Sequence, residues 1–264
     1  MKIYSRNGSQ IAICLPPRLY QSLRCLKRKL IAQRVPVHCL QTVRNLLGDR
    51  DIEWSWVASQ MPPGAGEALD FGPGGSHLAL IAAQRGFNVT AVDLNPVRWP
   101  YVHPGLRFIR GDILRLPLPA EHFDLVINCS TVEHVGLAGR YGVTEDRPDA
   151  DLEAMARLRG LMKPGGLMLL TIPAGQDAIF APRHRVYGNE RLPRLLDGYI
   201  VEKEAFWVKH QAARWMPCDK DTALNFGASV HGGPLENVYA LGCFVLRKPG
   251  LQVGNGNSEV PWGE

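Results

Sequence analysis

The chain has 264 residues, 45% of them hydrophobic and 21% charged, with a formal net charge of +5. That is enough apolar material for one large α/β core, and no apolar run is long enough to cross a bilayer. The six cysteines (14, 25, 39, 129, 218 and 243) show no CxxC or CxxH spacing, which argues against zinc and a disulfide framework and makes a reducing cytoplasm the expected compartment.

The N-terminus does not read as a secretory signal, because Arg6, Asn7 and Gly8 interrupt it before Ile11-Ala-Ile-Cys14. The charge is uneven: residues 1–50 hold ten Lys/Arg against one acid, Asp49, while the rest holds twenty against twenty-four. Leu19, Leu23, Leu26 and Leu30 recur at helical spacing among Arg24, Lys27, Arg28 and Lys29, so a basic amphipathic helix is expected over 18–34. Its basic face suits solvent, with an anionic membrane surface as the rival reading and nucleic acid ranking last. A second helix is expected over 37–47, and a third from Asp49 or Asp51 through Trp54 and Trp56 to Pro62.

Residues 67–95 carry the strongest signal. A short apolar strand ends at Asp70-Phe71, the turn Gly72-Pro-Gly74-Gly-Ser76 follows, then an amphipathic helix and a second strand ending in Asp93-Leu94. This is one βαβ nucleotide-binding unit, whose glycines let the backbone turn sharply and approach a ligand. A dinucleotide fingerprint wants a further Gly where this chain has His77, which disfavours a dehydrogenase. Strands are expected at 106–109 and at Phe123–Asn128, a helix near 150–162, a stop at Lys163-Pro-Gly-Gly166 and a strand at 167–172. Beyond Pro173 a helix near 189–197 and strands near 199–208 and 239–247 are readable. Residues 209–238 carry no clear pattern, and the Gly- and Asn-rich tail from Pro249 reads as disordered.

Asp70-x-Gly72-x-Gly74 followed by Asp93 resembles motifs I and II of the class I S-adenosylmethionine-dependent methyltransferases, with Ser76 where that family usually has its last Gly. Gly111-Asp112-Ile113, the strand Phe123–Asn128 and Leu161-Met-Lys-Pro-Gly-Gly-Leu resemble further segments of the same family, in order, over residues 64–205. The resemblance implies a Rossmann-like, doubly wound sheet of seven mostly parallel strands, with 239–247 as the antiparallel one. With the basic extension and the Gly- and Asn-rich tail, the chain is expected to divide into a basic helical cap at 1–62, the S-adenosylmethionine-binding domain at 63–248 and a tail at 249–264. The resemblance also implies S-adenosylmethionine held by Asp70, Phe71, Gly72, Gly74, Ser76, Asp93, Leu94, Asp112, Ile113 and Asn128. The stretch from Ser130 to Leu196, with Glu133-His134-Val135-Gly136, Arg140-Tyr-Gly142 and His184-Arg-Val-Tyr-Gly188, is similar to a bacterial methyltransferase-like subgroup linked to surface glycans.

Methyl transfer to a hydroxyl needs alignment and a proton acceptor. His134, just past the fourth parallel strand of the fold, is the candidate base, with Glu133 and His184 beside it; its rival role is packing or capping. Glu133, His134 and His184 also resemble an incomplete divalent-metal set, a reading that ranks below no metal. Trp54, Trp56, Tyr141 and Trp215 are candidate acceptor-pocket walls, and Arg140, Arg183 and Arg185 candidate anion binders, each with packing or solvation as the plainer role. The expectation is O-methylation of a glycan or other small molecule in the cytoplasm or at the inner membrane face. A natural-product or quinone-like acceptor and a non-catalytic cofactor-binding subunit are the alternatives.

Overall fold

A computed structural model describes residues 2–4, 10–12, 49–209, 215–227, 234, 236 and 238–250. The chain divides into two compact units, Met1–Val43 and Arg44–Glu264. In the first, β1 (Lys2–Tyr4) and β2 (Gln10–Ala12) pair antiparallel. The helices expected over 18–34 and 37–47, and nearly all of the C-terminal tail, lie outside the described residues.

The second unit begins with α1 (Asp49–Gln60), whose acidic start at Asp49 and Asp51 matches the helix expected to open there. The βαβ unit follows as β3 (Glu67–Phe71), α2 (Leu78–Gln84) and β4 (Asn88–Asp93). Next come β5 (Leu106–Arg110), β6 (Phe123–Cys129), α3 (Ala150–Leu161) and β7 (Met162–Ala174). A small hairpin, β8 (Ala178–Phe180) with β9 (His184–Val186), leads to α4 (Arg191–Leu195). The chain then forms β10 (Ile200–Lys209), β11 (Trp215–Cys218), α5 (Lys220–Leu224) and β12 (Ala240–Arg247).

One sheet of eight strands runs in the order β11-β10-β12-β7-β6-β3-β4-β5. The strands from β3 to β7 are parallel to one another, and β12 lies antiparallel between β7 and β10. This is the class I methyltransferase fold, with one strand more than the seven expected. The addition is β11, antiparallel at the edge of β10 from Phe206–Cys218 to Lys209–Trp215. Four residues including Pro217 carry no strand pattern of their own, and an edge is where such a segment can pair. The Lys163-Pro-Gly-Gly166 segment is also not the break expected. α3 ends at Leu161 and β7 runs straight through it, with Gly165 at φ +77° and a register shift against β6 between Phe123 and Leu125.

Two apolar layers sandwich the sheet. On one face Trp56 and Val57 of α1 and Leu78, Ala79, Ala82 and Ala83 of α2 pack over Ala68, Leu125, Ile127 and Leu169. On the other, Ala154, Met155, Leu158 and Leu161 of α3 join Leu192 and Leu195 of α4 over Leu69, Val126, Met168 and Leu170. A parallel sheet covered on both faces leaves its strand ends as the place for a ligand. Among the described residues no helix is long and apolar enough to cross a membrane.

Candidate active site

A cleft of about 1000 Å³ opens at the carboxyl ends of the parallel strands. Asp70, Phe71, Gly72, Gly74, Ser76, Asp93, Leu94, Asp112 and Ile113 all line it, as do Glu133, His134 and His184. The βαβ unit builds one end. Gly72 sits at φ +70°, and a Cβ there would lie 2.2 Å from Thr131 Cγ2, so only glycine fits. Thr131 Oγ1 in turn donates to the Gly72 carbonyl at 3.2 Å, tying the turn after β3 to the turn after β6. Gly74 is at φ +49° with nothing within 4 Å of where its Cβ would be, so backbone faces open space.

Three carboxylates line the same cleft. Asp70 is 1% exposed, and its Oδ2 is buried with no hydrogen-bond partner. Burial, with Asp93 nearby, pushes its carboxyl up to about 7. Asp93, at the end of β4, uses Oδ1 to accept the Asn95 amide at 2.9 Å, and Asp112 Oδ1 accepts the Leu114 amide at 2.9 Å. Each is held by its own turn while its carboxylate lines the cleft. Asn128 stands apart: it is fully buried, its amide points at Met155 Sδ, 3.5 Å away under α3, and it does not line the cleft.

The other end is built by the turn after β6. Ser130 Oγ donates to Glu133 Oε1 at 2.7 Å, and His134 Nε2 lies 3.5 Å from the same oxygen. Glu133 Oε2 is buried without a partner, and burial raises the Glu133 pKa despite the Ser130 hydrogen bond. The other ring nitrogen of His134, Nδ1, meets the Arg183 carbonyl. A carbonyl can only accept, so Nδ1 carries the proton and Nε2 keeps its lone pair. Burial lowers this imidazole to about 4, with Arg140, Arg50 and Arg185 opposing its charging, so it is neutral above that pH. His184 also lines the cleft, but its Nε2 bonds the Glu236 carbonyl at 3.0 Å, and burial lowers its pKa.

These contacts bear on the other candidates. Among the described residues no three His, Cys, Asp or Glu side chains are grouped to hold a metal ion. His134 Nδ1 and His184 Nε2 each meet a backbone carbonyl, so only the other nitrogen of each ring is left for a ligand. Arg185 is not in the cleft: it is 0% exposed and donates to backbone carbonyls. Arg183 pairs with Glu236 at 2.7 Å, while Arg140 lies 4.5 Å over the Tyr141 ring. Trp54 and Tyr141 line the cleft; Trp56 belongs to the core, and Trp215 packs beside it.

Sequence reasoning missed Arg50 and Tyr239, both on the cleft wall. Arg50 reaches it from α1 and is held at 2.6 Å by Glu53, a buried acid pushed up to about 6 that also accepts Thr171 Oγ1. An acid three residues on, at the start of a helix, was the available signal, and it is indistinguishable from an ordinary surface pair.

Known proteins agree with this architecture. A family model described as "Caenorhabditis protein of unknown function, DUF268" matches residues 118–211. The chain is 29% identical over 189 residues to the ubiquinone biosynthesis O-methyltransferase of Xanthomonas axonopodis pv. citri, covering 69% of each. It is 26% identical over 156 residues to the malonyl-[acyl-carrier protein] O-methyltransferase of Pectobacterium atrosepticum, covering 57% of this chain and 56% of that one. Among solved structures, the Burkholderia thailandensis 1,6-didemethyltoxoflavin-N1-methyltransferase, with S-adenosylhomocysteine bound, superposes with a TM-score of 0.52 at 17% identity, covering 90% of this chain and 93% of that one. The [4+2]-cyclase SpnF gives 0.52 at 16% identity, covering 76% and 81%. The two superpositions speak for the fold; a cyclase among them shows that the fold alone does not fix the reaction.

Proposed function

We propose that this chain, a class I S-adenosylmethionine-dependent methyltransferase, moves a methyl group to an oxygen of a small-molecule acceptor, with His134 taking the proton. The observation that carries the reading is the contact of His134 Nδ1 with the Arg183 carbonyl, which assigns the ring one tautomer. Its Nδ1–H is engaged by the Arg183 carbonyl, and its Nε2 lone pair is left at the acceptor end of the cleft beside Glu133. A hydroxyl nucleophile loses its proton to Nε2 as its oxygen attacks. Glu133 Oε1, 3.5 Å away, meets the imidazolium charge that forms. Both sequence relatives are named O-methyltransferases, which favours oxygen over nitrogen.

The residues suit the cofactor. The open space at Gly74 admits its backbone-facing edge, Asp93 suits the ribose hydroxyls, and Asp112 with Ile113 suits the adenine. The unpartnered Asp70 Oδ2 suits a cationic amine. When bound, the sulfonium supplies the activated methyl; the chain aligns the acceptor and excludes water. A cleft with Trp54 and Tyr141 among its walls suits a flat aromatic acceptor or a stacked sugar ring. The ubiquinone-pathway relative favours the first; the glycan reading rests on the resemblance of residues 130–196.

Incubation with S-adenosylmethionine carrying a deuterated methyl group, and mass spectrometry of a panel of phenols and sugars, tests the reading. A deuterated methyl ether is the expected product; label found only on nitrogen or carbon would overturn oxygen as the acceptor. The acid limb of turnover supplies a second check. The base form of His134 exists above about 4, so turnover should rise through that pH and be level through neutrality. A limb at the ordinary imidazole value of 6.5 would mean the ring is not buried in the working enzyme. Asp70 offers a third. Its carboxyl, near 7 when empty, should ionise as the cofactor's ammonium arrives, so binding near neutrality should release a proton. Calorimetry in buffers of different ionisation heat should then give different apparent enthalpies; identical enthalpies would remove Asp70 from the amine site.

A further inference from the structure

We infer that the β8–β9 hairpin is a brace that holds His134 in its working orientation, and that Arg185 is the positioning residue through which it acts. The inference rests on the reading of His134 as the base. It concerns the two signature stretches Glu133-His-Val-Gly136 and His184-Arg-Val-Tyr-Gly188, which are far apart in sequence and whose joint purpose the cofactor site does not explain.

Residues 183–185 grip residues 133–135 from two sides. The Arg183 carbonyl fixes the His134 ring. Two residues on, the Arg185 guanidinium fixes the backbone on either side of it, with Nη1 donating to the Val135 carbonyl at 2.6 Å and to the Glu133 carbonyl at 3.4 Å. Its Nη2 donates to the carbonyls of Arg147 at 3.1 Å and Pro148 at 3.2 Å. One side chain thus pins both ends of the 133–148 loop, which also carries Arg140 and Tyr141 along the cleft wall. The hairpin is itself anchored: Tyr187, next after β9, donates its amide to the Pro173 carbonyl at 3.0 Å near the end of β7.

A guanidinium that is 0% exposed is expensive to desolvate, and an apolar side chain would fill the same volume more cheaply. What an apolar residue cannot supply is a rigid fork of donors aimed at several carbonyls at once. The charge is met by Asp151, also 0% exposed, at 3.7 Å from Arg185 Nε. Asp151 is in turn held by Arg191 Nε at 2.9 Å and the Tyr187 hydroxyl at 3.1 Å. Because those two partners remain, changing Arg185 does not strand Asp151, and an Arg185 variant keeps its neighbouring buried charge paired.

The test is Arg185→Lys, which keeps the charge and loses the fork. In the full chain with S-adenosylhomocysteine bound, long-range nitrogen–proton NMR of His134 should report the Nδ1–H tautomer in the parent protein and a tautomer mixture in R185K. With the acceptor found by the labelled-methyl assay, kcat should fall about 10²-fold, the order expected of a small misplacement of a reacting group. In a His134→Gln background the same Arg185→Lys change should have almost no further effect, because the two act as one unit. An equal loss in both backgrounds, or an unchanged His134 tautomer, would overturn the brace and leave Arg185 a packing residue. If circular dichroism shows that R185K does not fold, Asp151→Asn, which weakens the hold on Arg185 at constant shape, should produce the tautomer mixture; an unchanged tautomer there overturns the inference equally. Full turnover in H134Q would instead defeat the base reading, while the tautomer measurement would still decide the brace.

Discussion

Replacing His134 with Gln should lower turnover by roughly 10²–10⁴-fold while leaving cofactor affinity almost unchanged, the signature of losing a general base. The geometry separates the two effects. His134 stands at the acceptor end with Glu133, whereas the groups suited to the cofactor come from the turns after β3, β4 and β5. Gln preserves a polar side chain of similar reach but offers no basic nitrogen. Steady-state kinetics beside calorimetry with S-adenosylhomocysteine would check it. Loss of cofactor affinity in step with turnover would make His134 a packing residue of the cofactor site. Retained turnover would mean that the acceptor arrives deprotonated or that another group takes the proton.

Replacing Asp93 with Ala should weaken S-adenosylmethionine binding by about 1.5–3 kcal/mol, through lost charge-assisted hydrogen bonds. That is roughly a 10- to 150-fold rise in Kd. Asp93 ends β4 with Oδ1 on the Asn95 amide, so its carboxylate is aimed before any ligand arrives. Asp112→Ala should cost less if that carboxylate meets only an adenine amine. A larger loss at Asp112 than at Asp93 would reverse the two roles, and parent-like affinity in the Asp93 variant would remove it from the site.

Much of this arrangement is legible in the amino-acid sequence. Asp70, Gly72, Gly74 and Asp93 announce themselves because a glycine turn between two buried strands is a local device: its spacing is its geometry. The strand at 240–247 was legible from its apolar run, and its antiparallel sense from the family resemblance. β11 was not, because a four-residue edge strand containing Pro217 depends on β10 for its existence rather than on its own pattern. Nor could spacing separate Arg183 from Arg185. Both adjoin His184, yet Arg183 lines the cleft and pairs with Glu236, while Arg185 is fully buried across the 133–148 loop. Asn128 misled for a related reason. Side chains alternate along β6, and its turn falls to the α3 face, against Met155. Arg50 was invisible because its meaning lies in Glu53 reaching Thr171, 118 residues away in sequence.

On the proposed reading one cleft holds the methyl donor at Asp70, Asp93 and Asp112 and presents its sulfur to His134. A structure of the complex with S-adenosylhomocysteine tests it most directly. The ribose hydroxyls should lie on Asp93, the amine on Asp70 Oδ2, and the sulfur should face His134 Nε2 across a gap that fits one acceptor hydroxyl. A ligand bound outside this cleft, or bound within it with the sulfur turned away from the Ser130–His134 turn, would contradict it.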